Sequence, residues 1–369
     1  MKEHLAGWIF LNPLPKLQRR KPMIYFNCDY NEGAHEKIME RLLETNMDQT
    51  DGYGCDIYCE KARKLIRKKC NAPKAAVHFL VGGTQANATV IKSVLRSYQG
   101  VIAAHTGHIA VHETGAIEAG GHKVLALPGK DGKISAAQIE QCYRSHIEDD
   151  SFEHMVQPKM VYISQPTELG TLYSLEELKA ISEVCRKNSL VLYVDGARLG
   201  YGLAAEDNDV SMEDLASLCD VFYIGGTKVG ALFGEAVVIC NPALQNDFRY
   251  MIKQMGGMLA KGRLLGVQFE ALFEDDLYER ISMHAIELAE QIRAQLYALN
   301  VPFLVESHTN QIFPILPDAV LAKLQENYIY CYQERVDETH SAVRFCTSWA
   351  TKESDVEALC RDLESIYEK

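Results

Sequence analysis

The stretch Leu190–Gly234, LVLYVDGARLGYGLAAEDNDVSMEDLASLCDVFYIGGTKVGALFG, decides how this chain reads. It contains two short apolar runs, Leu190 to Val194 and Val221 to Ile224, of the kind that form buried strands. Each run delivers a charged residue at or just past its C-terminal end, Asp195 after the first and Lys228 after the second. Strands alternate with helical segments on both sides of this stretch, which indicates an α/β chain with a mainly parallel sheet. In such sheets ligands bind outside the carboxyl ends of the strands. An Asp and a Lys arriving there together are therefore candidates for one site.

The chemistry that needs this pair is that of pyridoxal phosphate (PLP), where a Lys amine condenses with the cofactor aldehyde and an anion faces the pyridine nitrogen. Only Lys supplies a primary side-chain amine whose pKa falls readily on burial. Charges about 4 Å apart are worth roughly 4 kcal/mol at an effective dielectric near 20, enough to keep the ring protonated. Each residue alone has a plainer reading, Asp as a cap or turn and Lys as a solvated loop residue. VDGAR followed by GGTKVGALFG in one chain favours the cofactor site.

Upstream, AAVHFLV (75–81) reads as a buried strand and GGTQAN opens a helix expected to reach about Tyr98. A Gly-Gly-Thr turn into a helix exposes backbone N–H groups at the positive end of the dipole, so Gly83, Thr84 and Gln85 are candidates for the cofactor phosphate. A simple helix start explains the same residues. His105, His108 and His112 lie in AAHTGHIAVHETGAIEAGG with no accompanying Cys and no second cluster, and no metal is expected. Ser135 with Gln138, and Ser174 with Glu177, have the spacing of capping boxes.

The segment resembles the threonine aldolase and β-eliminating lyase group of fold-type-I PLP enzymes, which carry a DGARL strand end and then a Ser/Thr-Lys loop. The likeness runs from about Met23 to the C-terminus. It implies the aspartate aminotransferase type of fold, with a large, mainly parallel seven-stranded-sheet domain over 23–245 and a smaller α+β domain over 246–369. It implies Lys228 as the cofactor lysine, Thr227 beside it, Asp195 at the ring nitrogen, and His108, followed by Glu113, stacked on the ring. Arg198, Arg344 and Asn27 are then candidates for the substrate carboxylate, and Asp29 matches the family at the same N-terminal segment. DGYGCDIY (51–58) resembles a loop that reaches a neighbouring active site, so Tyr53 implies a homodimer or homotetramer; Lys261 or Arg263 would supply a basic residue near the phosphate. Two family histidines are absent, with Thr167 and Ser348 read at their places.

The resemblance implies cleavage of L-threonine, L-allo-threonine or a related β-hydroxy-α-amino acid to glycine and an aldehyde. With Thr167 at the histidine's place, His108 or an ordered water is the expected base for the substrate hydroxyl. β-Elimination or transamination of another small amino acid is the alternative on the same cofactor. A catalytically inactive binding protein is the alternative of another class, motivated by the two absent histidines.

Composition sets the wider limits. A chain of 369 residues suits two domains, and its net charge of −12 argues against nucleic-acid or anionic-membrane surfaces. The basic run KARKLIRKK (61–69) reads as a solvated helix face. Eleven cysteines without a CxxC pair favour a reducing cytoplasm. No apolar run approaches the ~20 residues that span a bilayer. Residues 1–22 are expected to be a poorly ordered extension, with Met23 as the alternative start.

Overall fold

The computed structural model describes residues 23–367; the expectation for residues 1–22 lies outside them. Its centre is a seven-stranded sheet in the spatial order Ala76–Leu80, Glu235–Ile239, Val221–Gly225, Val191–Asp195, Gln157–Ser164, Gln99–Ala104, Lys123–Leu127. Only Glu235–Ile239 runs antiparallel to its neighbours. Strands in the middle are apolar on both faces because helices cover both. Leu192, Val194, Phe222 and Ile224 point into one core, while Tyr193, Val221 and Tyr223 point into the other. This is why the two apolar runs show no polar alternation.

The helix that opens at GGT spans Gly83–Val94, one turn shorter than the Tyr98 limit read from sequence. Both capping boxes form: the Ser135 and Ser174 side chains each accept from the N–H three residues on, and Gln138 and Glu177 reach back. The basic run lies on the helix Ile57–Lys69, with Ala62 and Ile66 turned inward.

A third core holds the C-terminal part, around an antiparallel sheet built on His340–Cys346. Phe26 belongs to it, and Ile24–Tyr25 pairs with Tyr328–Ile329. The helix Leu277–Ala298 serves two cores: its first half packs Tyr278, Ile281 and Ala285 on the large sheet's core, and its second half packs Leu288, Ile292 and Leu296 on the C-terminal one.

Candidate active site

The C-terminal ends of the central strands open into a cavity of about 320 Å³. Gly82, Gly83, Thr84, His108, Asp195, Arg198, Thr227 and Lys228 all line it. The reason Asp195 and Lys228 meet is close backbone packing just past the strand ends. The Gly225 N–H donates to the Gly196 carbonyl (2.9 Å). A Cβ on Gly196 would lie 2.0 Å from the Tyr223 carbonyl oxygen, and one on Gly225 would lie 2.2 Å from that of Ala197.

Asp195 is buried and held from three directions. Its Oδ2 accepts from the Tyr162 hydroxyl (2.6 Å) and Asn87 Nδ2 (3.1 Å), and its Oδ1 accepts from the Ala197 N–H (2.9 Å). Asn87 is itself fixed by the Tyr193 hydroxyl (2.8 Å) and donates also to Glu113 Oε1 (2.7 Å). Glu113 Oε1 in turn meets His108 Nδ1 at 2.8 Å. Since a carboxylate only accepts, this contact puts a proton on Nδ1 and leaves Nε2 of a neutral ring as an acceptor. Asp195 and His108 are thus linked through Asn87 and Glu113.

Lys228 is half-buried, and its Nζ has no hydrogen-bond or ion-pair partner among the described residues. Burial lowers its pKa first, and the Arg198 guanidinium adds to this, while Asp29, Asp195 and Glu235 pull the other way. Glu235 is pushed up to about 7 by burial, against the Thr227 hydroxyl and Lys228. Its Oε2 accepts from the Gly226 N–H at 3.0 Å. A lysine pKa shifted downward is the direction a nucleophilic amine needs.

Arg198 is a cavity residue, yet two of its nitrogens are already engaged: Nε and Nη2 donate to Asp29 at 2.7 and 3.1 Å. Its Nη1 takes no partner among the described residues. Asp29 also accepts from Asn310 Nδ2 (3.0 Å). Arg344 lies outside the cavity lining, where Nη2 donates to the Asn27 carbonyl (2.9 Å) and Nη1 to Gln311 Oε1 (3.1 Å); its Nε is buried without a partner. The Asn27 side chain accepts from Asn31. Gln85 uses its side chain structurally, accepting from the Val81 N–H and donating to the Met255 carbonyl. Tyr53, Lys261 and Arg263 do not line this cavity; Arg263 donates to the Asp48 and Asn46 carbonyls, and Lys253 sits 5.2 Å from the centre of the Tyr53 ring. His105 accepts from the Gly129 N–H, and no group of three or more His, Cys, Asp or Glu is placed to hold a metal among the described residues.

The loop after Gln157–Ser164 differs most from its reading in sequence. Thr167 is buried, with its hydroxyl engaged by Thr171 Oγ1 (2.7 Å) and the Leu169 and Thr171 N–H groups. The neighbouring Glu168 faces the cavity instead. Tyr162, Asn87, Glu168 and Glu235 were not singled out from sequence. Only Asn87 left a signal, standing one helical turn after Gly83 on the same face.

The residues fit PLP. The Gly83, Thr84 and Gln85 N–H groups precede the first helical hydrogen bond, from the Ala86 N–H to the Gly82 carbonyl (3.0 Å), and no side chain caps them. A Cβ on Gly82 would meet nothing within 4 Å, so this cradle is open for a phosphate. Lys228, Asp195 and His108 surround the remaining space.

The fold is that of the aminotransferase-type PLP enzymes: Thermus thermophilus aspartate aminotransferase superposes with a TM-score of 0.67 at 14% identity, covering 94% of this chain and 91% of that one. The beta-eliminating lyase family model matches residues 28–319. A Pseudomonas protein described as a low specificity L-threonine aldolase is 30% identical over 352 residues, 92% of this chain and 97% of its own. A Leishmania major threonine aldolase structure is 43% identical with a TM-score of 0.91, covering 93% of this chain and 99% of that one. The chain belongs to the beta-eliminating lyase family, and it is a PLP-dependent enzyme.

Proposed function

We propose that this enzyme cleaves L-threonine, L-allo-threonine or a related β-hydroxy-α-amino acid to glycine and an aldehyde. The observation that carries this reading is the half-buried, unpartnered Lys228 lining the same cavity as Asp195, in a chain that aligns almost end to end with proteins named threonine aldolases. The bound cofactor supplies an electron-withdrawing ring that accommodates the charge left at the amino-acid Cα. Lys228 holds the cofactor and Asp195 faces its ring nitrogen. His108 flanks the ring in the tautomer fixed by Glu113, and the N–H groups of Gly83 and Thr84 hold its phosphate. Arg198 is fixed by Asp29 with Nη1 left for the substrate carboxylate. That anchoring would orient the amino acid so that its Cα–Cβ bond is the one cleaved.

The test is aldehyde release. The cofactor-loaded protein is expected to form acetaldehyde from L-threonine, and Lys228→Ala is expected to lose that activity together with the absorbance of bound cofactor. Pyruvate and ammonia without aldehyde would replace this reading by β-elimination.

The proposal extends to the assembly and the compartment. A homodimer or homotetramer, with Tyr53 and Lys261 or Arg263 completing a neighbour's site, is supported by the position of these residues outside their own cavity. A cytoplasmic setting is supported by eleven cysteines that are all free thiols, and no helix among the described residues is long and apolar enough to cross a membrane.

A further inference from the structure

We propose that Glu168 is the base that takes the proton from the substrate β-hydroxyl, an inference that rests on the aldolase reading above. Three features of the loop point to it. The Glu168 carboxyl lines the cavity that holds Lys228 and Asp195. Its Oε1 accepts from two other residues, the His108 N–H at 2.8 Å and the Ser164 hydroxyl at 2.7 Å. Its Oε2 accepts from no other residue among those described, so one oxygen is anchored by neighbours and the other is left for a substrate hydroxyl. The turn that carries it is closed by the Thr167 N–H to the Thr171 carbonyl (2.9 Å) and the Gly170 N–H to the Thr167 carbonyl (2.9 Å). The carboxyl is therefore preorganised.

Of the other groups in the cavity, Thr167 and Asp195 are committed elsewhere. Thr167 has spent its hydroxyl within the turn. His108 is tied at Nδ1 to Glu113, and its ring is the one assigned to the cofactor face in the aldolase reading. Asp195 is enclosed by Tyr162, Asn87 and the Ala197 N–H.

The surroundings suit a base. Burial raises the pKa of Glu168 and the charge of Asp195 raises it further, against the donors from Ser164, its own N–H and the His108 N–H. Tyr162 and Tyr173 are also near enough to feel its charge, and Arg198 and Lys228 stand on the same cavity wall. A carboxylate with a raised pKa is a stronger base than an exposed one.

The step balances without another reagent. The hydroxyl proton passes to Oε2, the oxygen–Cβ bond becomes the aldehyde carbonyl, and the electron pair of the broken Cα–Cβ bond stays with the glycine fragment. That fragment takes up a proton at Cα before release. In the synthetic direction the protonated Glu168 returns its proton to the new alkoxide.

Glu168→Gln tests this, because the amide keeps an oxygen for the His108 and Ser164 donors but cannot take the proton. Acetaldehyde release from L-threonine is expected to fall by about 10²–10⁴-fold, the usual worth of a general base. The acid limb of the kcat/KM profile is expected to disappear. Exchange of the glycine α-hydrogen with deuterated water, which involves no β-hydroxyl, and PLP affinity of the apoprotein by fluorescence titration are expected to change by no more than a few-fold. The proposal is overturned if Glu168→Gln cleaves L-threonine like the wild type, or if exchange and cofactor affinity collapse in parallel with cleavage. A wild-type protein that releases no aldehyde overturns the aldolase reading and this one together; an active wild type with an unimpaired variant overturns this one alone.

Discussion

Asp29 and Arg198, 169 residues apart in the chain, form a buried ion pair at the wall of the cavity. Burial alone would raise the Asp29 pKa, but the guanidinium of Arg198, and then Lys228, outweigh it and hold the carboxyl below its ordinary value near 3.8. Removing one partner leaves the other charge buried and unmatched, which typically costs about 3–5 kcal/mol. Asp29→Asn is therefore expected to lose stability of that order in urea unfolding of the apoprotein. Because the folded pKa is depressed, the wild-type advantage is complete above the ordinary value and shrinks as the pH falls through the folded one. A gap between wild type and variant that widened on acidification would contradict this pairing.

At the scale of elements, the contact between the segments following Val191–Asp195 and ending Val221–Gly225 sets the site. Gly196 is needed because a methyl group there would collide with the Tyr223 carbonyl. Backbone cannot move aside as a side-chain tip can. Gly196→Ala is expected to destabilise the protein by about 1–3 kcal/mol or more, and to weaken PLP binding because Asp195 and Lys228 are pushed out of register. Gly82→Ala provides the contrast for stability: Gly82 has an extended φ of −173°, and its Cβ would meet no atom within 4 Å. Calorimetry should separate the two, with a melting temperature lowered only for Gly196→Ala.

For the whole molecule, large apolar side chains remain exposed at Leu43, Met47, Tyr53, Ile57 and Tyr250. These lie on or beside helices at the N-terminal side of the large domain and at Phe248–Gln254. If a second copy covers them, light scattering will give at least twice the chain mass of 41.4 kDa. Mixing Lys228→Ala with a Lys261→Ala/Arg263→Ala variant should then restore cleavage that neither shows alone, since a mixed pair contains one intact composite site. A monomer with full activity would remove the composite site from consideration.

What the sequence by itself determined was the local part of this protein: the parallel sheet, from apolar runs alternating with capped helices, and the chemistry of its strand ends, from GGT, DGAR and the TK loop. These signals are legible because each is written in consecutive residues, where backbone geometry and side-chain type are linked directly. Only the tertiary structure decided which side chains face the cavity. Thr167 and Glu168 are adjacent, and packing against Thr171 and Gly170 turns the first inward and presents the second. The support of Asp195 by Tyr162 and Asn87, the burial of Glu235 beside Lys228, and the Asp29 clamp on Arg198 join residues from separate elements. Their meaning depends on strand register and distance in space, which no single stretch of the chain contains.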